Sequence, residues 1–267
     1  MSNTPKHPVK TSYRVLEIIE SVQQTENPTL SNVADNVEVS KSSVYNHLAS
    51  LVDQGYVIKE DNKYRLSLRF TEIGYKIRQG SELHQEGKHE LNKLKNEIEE
   101  QVTLVIREGN RGVVQYVTEP ENSINSGLHP GSSFPLHCTA TGKAILAFLN
   151  DETVAKIFDE RGLEPLTKYT ITDRQLLEEE FVRIREHHFT KSRAERIRGV
   201  NSIAVPLLVA QPESHENYQY AEDDHVIQGA ISVQLNNNKY RDDDRIERIW
   251  KKMDRHKDNI CLKLSYS

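Results

Sequence analysis

Three short apolar stripes at helical spacing, closed by two short strands around a polar turn, occupy residues 1–66 and leave few folds open to them. Between Ser12 and Gln24, Val15, Ile18, Ile19 and Val22 fall at i, i+3, i+4 and i+7, the spacing of one buried helix face. Asn27-Pro28-Thr29 breaks the pattern and supplies cap chemistry. Leu30, Val33, Ala34 and Val37 then repeat it in a shorter helix. Ser40 is a suitable N-cap for a third helix, whose buried face is Val44, Leu48, Leu51 and Val52 and whose end is Gly55. Tyr56-Val57-Ile58-Lys59 and Lys63-Tyr64-Arg65-Leu66 read as strands around Glu60-Asp61-Asn62, a turn in which Asp and Asn tolerate tight backbone geometry. This order describes a winged helix-turn-helix, whose third helix enters the major groove of DNA.

On this reading the polar side of the third helix displays Lys41, Ser42, Tyr45 and Asn46. Ser40 and Ser43 stand at its start, and Lys59, Asn62 and Lys63 lie on the wing. Such side chains bond phosphates or base edges, and the Asn46 amide suits bidentate pairing with adenine. The plainer alternative, a three-helix unit that packs its polar side against something else, is disfavoured by the wing. Charge limits the mode of contact. Residues 1–66 hold seven Lys or Arg against eight Asp or Glu, and the whole chain carries −5 from 35 basic and 40 acidic residues. Nonspecific affinity scales with the phosphates neutralised, so attraction by bulk charge is excluded and contact must be local. Binding is therefore expected to need linked modules, a homodimer or a dimer of dimers. Its double-stranded operator would be pseudo-palindromic, with half-sites one helical turn apart or a multiple of that.

A chain of 267 residues is one large domain or two ordinary ones, and 36% hydrophobic with 28% charged residues describes a polar, foldable chain. The apolar runs Ile203 to Ala210 and Ala144 to Leu149 are far short of the ~20 residues that cross a bilayer, so no membrane partner is expected. Residues 1–11 mix lysine with proline and lead into no apolar stretch, which predicts no secretory signal. Two cysteines, Cys138 and Cys261, fit a reducing compartment, and a cytoplasmic location is expected.

From Thr71 to about Gln101, Ile73, Ile77, Leu83, Leu91, Leu94 and Ile98 among many charges predict a long helical connector, broken near Gly80 to Gly87. Its apolar stripe serves either as a dimer seam or as a face docked on the C-terminal core. Beyond it the period changes to two: residues 102–107 and 113–117 flank Gly109-Asn110-Arg111-Gly112 as a hairpin, and Ser123 to His129 is expected to add a strand. Helices are expected over Ala140–Leu149, Asp151–Glu160, Asp173–His187 and Asp242–Asn259, with strands over Ile203–Val209 and Ile227–Leu235. The fold class expected is α+β with a mainly antiparallel sheet, organised as a DNA-binding domain at 1–70, a linker helix at 71–101 and a second domain at 102–267.

The run Gly131-Ser132-Ser133-Phe134-Pro135-Leu136-His137-Cys138-Thr139-Ala140-Thr141-Gly142-Lys143-Ala144-Ile145-Leu146-Ala147 resembles the signature of the IclR family of transcription regulators. The resemblance continues at Leu166-Thr167 with Thr170-Ile171-Thr172-Asp173, at Arg198-Gly199-Val200-Asn201-Ser202-Ile203-Ala204-Val205-Pro206 and at Gly229-Ala230-Ile231-Ser232-Val233. It implies an N-terminal winged helix, a linker helix that dimerises and a C-terminal GAF-like domain that binds a small metabolite, commonly an organic acid, sugar acid or aromatic compound. It also implies that Thr139, Ala140, Thr141 and Gly142 form one wall of the effector pocket, with Ser202, Ser232 and Gln234 as further effector-binding candidates. Ser202 stands where many relatives have cysteine, and Gln234 replaces a frequent serine. Amides at the start of the helix after Thr139 would favour a carboxylate. The segment Thr190 to Ile197, with Ser192 among its pocket candidates, departs most: relatives usually have an acidic cluster there. Lys191, Arg193, Arg196 and Arg198 suggest an anionic effector unless they form a solvated face.

Gln211 to His225 reads as an exposed insertion. His215 and His225 match no established metal-ligand spacing, so no metal is expected, and no Walker loop or dinucleotide fingerprint implies a cofactor. His137 and Cys138 are adjacent and do not face one another as base and nucleophile. The expectation is therefore a regulator without catalytic residues. The alternative from another class is a small-molecule enzyme built on the C-terminal domain.

Overall fold

The computed structural model describes residues 9–119, 126–210 and 225–266. These fall into two compact units, Met1–Gly80 and Ser81–Ser267, each taken by itself below.

In the first unit, α1 (Lys10–Gln24), α2 (Leu30–Asp35) and α3 (Lys41–Asp53) enclose Ile18, Val22, Val33, Val44, Leu48 and Leu51, the residues that the helical spacing selects. Thr29 caps α2 by accepting from the Asn32 amide, and Ser40 caps α3 by accepting from the Ser43 amide. Gly55, at φ +73°, ends α3: its amide donates to Val52 O and the Tyr56 amide donates to Leu51 O, the paired bonds of a left-handed stop. β1 (Val57–Glu60) and β2 (Lys63–Leu66) pair antiparallel with Glu60 opposite Lys63. Asp61 at φ 50° and Asn62 at φ 87° make the two-residue turn, whose twist matches the strands it joins. Val57 and Tyr64 point back into the helical core. α4 (Arg69–Gln79) closes the unit and buries none of its residues; Ile73 and Ile77 are 40% and 68% exposed.

The break expected between Gly80 and Gly87 lies at Gly80–Ser81, where Ser81 caps α5 (Glu82–Ile98). Gly87 sits inside α5 because Leu104 comes within 3.0 Å of where its Cβ would stand. A six-stranded antiparallel sheet follows: β3 (Val102–Glu108), β4 (Arg111–Val117), β5 (Ser133–Pro135), β6 (Thr190–Arg193), β7 (Asn201–Ala210) and β8 (His225–Leu235), in the spatial order β5-β4-β3-β8-β7-β6. The strand expected over Ser123–His129 is corrected: 123–125 lie outside the described residues, 126–129 are not strand, and β4 pairs instead with Ser133–Pro135. His215 and most of the expected insertion also lie outside the described residues, while His225 opens β8, exposed.

One face of the sheet presents Val102, Leu104, Ile203, Val205, Ile231 and Val233 to Leu91, Leu94 and Ile98 of α5 and to Ile246, Ile249, Met253 and Ile260 of α10 (Asp243–Leu264). The connector's stripe from Leu83 onward is therefore docked on this core. Polar bonds tie α5 to α10 as well: the buried Glu90 carboxylate meets His256 Nδ1 at 2.8 Å and the Asn259 amide at 3.2 Å. The opposite face is covered by α6 (Ala140–Leu146), α7 (Asp151–Arg161) and α8 (Arg174–His187) through Ala140, Ala144, Ile157, Leu177, Phe181 and Ile184. α9 (Asn237–Tyr240) is a short turn before α10. Helix, sheet and helix thus form three layers around two apolar cores.

Candidate functional site

Two sets of side chains are candidates for recognition, one on each unit. On the first, Lys41, Ser42, Tyr45 and Asn46 are exposed on α3, and Lys59, Asn62 and Lys63 are exposed on the wing. Asn46 makes no side-chain hydrogen bond among the described residues, and Tyr45 is 51% exposed. Lys41 Nζ donates to Ser31 Oγ at 2.6 Å, which holds the ammonium at the junction of α2 and α3. The Ser40 hydroxyl is spent on the cap, accepting from the Ser43 backbone amide at 3.3 Å. Lys59 lies 5.7 Å from the centre of the Tyr64 ring.

The second set follows from an anomaly in the sheet. Alternation that is apolar on the α5 side requires an apolar partner face beneath α6, and at one end of that face it is polar instead. Thr103 pairs with Ser232, Ser232 with Ala204, Ser202 with Gln234 and Ser192 with Ser202, so five polar side chains from four neighbouring strands share one patch, four of them buried and Ser202 half-buried. Above it lies a cavity of about 40 Å³, bounded by Thr139, Thr141 and Cys138 at the start of α6, Phe134 on β5, Leu128, and Arg196, Ile197 and Val200 in the loop between β6 and β7. One ordered water needs roughly 10–15 Å³, so there is room for a compact molecule. Thr103 Oγ1 and Gln234 Oε1 are buried there without a hydrogen-bond partner among the described residues. A polar atom left so costs about 1–3 kcal/mol, which a ligand or water recovers.

Thr139, Thr141, Ser192, Ser202, Ser232 and Gln234, six of the eight residues expected at the pocket, line this cavity. Ala140 and Gly142 do not reach it. Ala140 packs in the apolar core, and a Cβ on Gly142 would stand 2.0 Å from Leu136 O, so Gly142 serves the close approach of α6 to the turn at Leu136–Cys138. Of the four basic residues between 191 and 198, only Arg196 faces the cavity; Lys191, Arg193 and Arg198 are exposed. Thr103 and Phe134 escaped the sequence reading, although a threonine at an inward position of Val102-Thr103-Leu104 is a readable signal.

Lys143, 1% exposed, is the largest surprise. Its ammonium donates to Glu180 Oε1 and Glu195 Oε1, both at 2.8 Å, and to Lys191 O at 3.1 Å, linking α6, α8 and the loop that carries Arg196. Burial pushes the Glu195 carboxyl above its ordinary value even with Lys143 beside it. Cys138 donates to Pro135 O, and burial pushes its thiol up to about 12, which keeps it protonated and a poor nucleophile. His137 Nε2 is engaged by Glu164 O at 3.1 Å. Among the described residues no group of three or more His, Cys, Asp or Glu is placed to hold a metal, and no helix is long and apolar enough to cross a membrane.

A winged helix-turn-helix joined in one chain to a domain with a partly enclosed cavity of mixed polar and apolar lining is the architecture of a ligand-responsive DNA-binding protein. Comparison agrees: the IclR helix-turn-helix domain matches residues 13–61, and the bacterial transcriptional regulator IclR C-terminal domain matches residues 76–261. The chain belongs to the IclR family of transcriptional regulators. It is 34% identical over 181 residues to the HTH-type transcriptional regulator Rv1719 of Mycobacterium tuberculosis, covering 66% of this chain and 68% of that one. Its fold matches the IclR protein of Thermotoga maritima with a TM-score of 0.76 at 23% identity, over 96% of this chain and 99% of that one. It also matches an IclR homologue from Microbacterium hydrocarbonoxydans complexed with 4-hydroxybenzoate, with a TM-score of 0.77 at 17% identity, over 96% and 100% of the two chains.

Proposed function

We propose that this chain is a homodimeric or dimer-of-dimers regulator that reads a pseudo-palindromic operator through α3 and its wing, and that an organic or sugar acid in the cavity beneath α6 sets its DNA affinity. The observation that carries the DNA reading is the outer face of α3, where Tyr45 and Asn46 stand exposed and the Asn46 amide has no hydrogen-bond partner among the described residues. Self-association is supported by α4, an amphipathic helix that leaves Ile73 and Ile77 in solvent, and by a local charge too low to hold one module on DNA alone. A relative crystallised with 4-hydroxybenzoate supports an acid as effector. The ligand acts by favouring one of two arrangements of the dimer, a coupling typically worth roughly 1–3 kcal/mol. A DNA-binding protein of this kind works in the cytoplasm, beside the chromosome.

The roles on α3 separate by experiment. Lys41→Ala is expected to weaken binding to all DNA sequences about equally, whereas Asn46→Ala relaxes preference at one base position by roughly 1–3 kcal/mol. Affinities for a set of single-base operator variants check this; equal losses on every variant for both proteins would remove the division of roles.

A further inference from the structure

The strongest unassigned group in the molecule is the Arg196 guanidinium. It is half-buried at the cavity wall, with its central carbon 5.3 Å from the centre of the Phe134 ring, a cation–π contact that uses none of its N–H donors. Among the described residues it has neither a hydrogen bond nor an ion pair. The carboxylate next to it in sequence, Glu195, is committed to Lys143. Burial holds the Arg196 pKa below its ordinary value, as expected of a cation partly stripped of water without a counter-ion. A charge so placed is costly unless something anionic completes it.

We infer that Arg196 fixes both the charge and the orientation of the ligand. The cavity takes a compact hydroxy-carboxylate, with its carboxylate on the Arg196 guanidinium and its hydroxyl on the sheet, against Thr103 and Gln234. This rests on the reading of the cavity as the effector site and adds to it the class of ligand and the way round it lies. At the start of α6 the Gly142 amide is already taken by Thr139 Oγ1 at 3.0 Å, and neither Ala140 nor Gly142 lines the cavity. On the sheet, among the described residues, Thr103 Oγ1 and Gln234 Oε1 are the two buried side-chain atoms at the cavity without a hydrogen-bond partner, and a ligand hydroxyl can donate to Gln234 Oε1 and accept from Thr103 Oγ1. A cavity of about 40 Å³ between the two ends sets a short spacing between carboxylate and hydroxyl.

The test uses matched pairs of similar shape, one anionic and one neutral: glycolate with glycolamide, lactate with lactamide, and 3-hydroxybutyrate with its amide. Each is titrated into the full chain by calorimetry at constant ionic strength, with thermal melting as a second readout. At least one acid is expected to bind and raise the melting temperature while its amide does neither. Arg196→Gln is expected to weaken that acid by about ten- to a hundredfold, and Arg196→Lys, which keeps the charge but loses the fork, by less. Unchanged melting of the ligand-free Arg196→Gln protein would show that its fold is intact. An amide that binds as well as its acid, an acid that binds Arg196→Gln undiminished, or no binding by any of the three acids would overturn the inference. Anisotropy on the protein's preferred DNA fragment separates this from the functional reading. An acid held through Arg196 that leaves DNA affinity unchanged keeps the ligand assignment and removes the effector role. A neutral ligand that changes DNA affinity does the reverse.

Discussion

Lys143→Met is expected to lose about 3–5 kcal/mol of folding stability, the usual consequence of removing one partner from a buried ion cluster. Methionine fills the channel left by the lysine stem, so the loss comes from charge rather than from a cavity. Glu180 and Glu195 are left facing each other in a site that already pushes Glu195 up, with no cation to offset them. The pH dependence has a definite sign. A carboxyl whose folded pKa lies above its unfolded value destabilises at pH values above both and recovers that stability as pH falls through the folded pKa. The gap between Lys143→Met and the parent, measured by chemical denaturation, is therefore expected to narrow from pH 8 toward pH 5. A gap that stays constant or widens on acidification would show that the cluster does not act through uncompensated carboxylates. Because Glu195 adjoins Arg196, the variant is also expected to respond less to the effector at temperatures where it remains folded.

Ser202→Leu is expected to abolish the effector response while leaving DNA affinity intact. Ser202 stands on β7 between Ser192 and Gln234, so a branched side chain there projects into a cavity of about 40 Å³ and takes the ligand's place. Overpacking costs roughly 1–3 kcal/mol, which a domain with two apolar cores tolerates. Anisotropy with and without effector reads both quantities in one titration. A full response in Ser202→Leu would move the effector away from this cavity, and parallel loss of response and DNA binding would mark the substitution as a folding defect.

The parts of this fold that announce themselves in sequence are those whose buried faces are apolar. The stripe of Val15, Ile18, Ile19 and Val22 and the Asp61-Asn62 turn are decided within a few residues by local rules. β6 was invisible for a physical reason: its inward residues, Thr190 and Ser192, lie on the polar end of the sheet face, so Thr190-Lys191-Ser192-Arg193 shows no apolar alternation. The Lys143 cluster was invisible for another, since Glu180 and Glu195 lie 37 and 52 residues away in sequence. Resemblance points to the segment 139–142, but only geometry separates Thr139 and Thr141, which line the cavity, from Ala140 and Gly142, which seat the helix. It likewise reduces a basic cluster of four residues to the single side chain that faces inward.

As proposed above, this chain recognises particular DNA as a symmetric assembly. Fluorescence anisotropy of the purified protein, on fragments from upstream of its own gene and its neighbours and on shuffled DNA of equal length at fixed salt, tests it most directly. Preferential binding to one fragment, with a footprint of two half-sites related by two-fold symmetry, is the predicted result. Equal, weak binding to every fragment, with and without candidate effector acids, would contradict it.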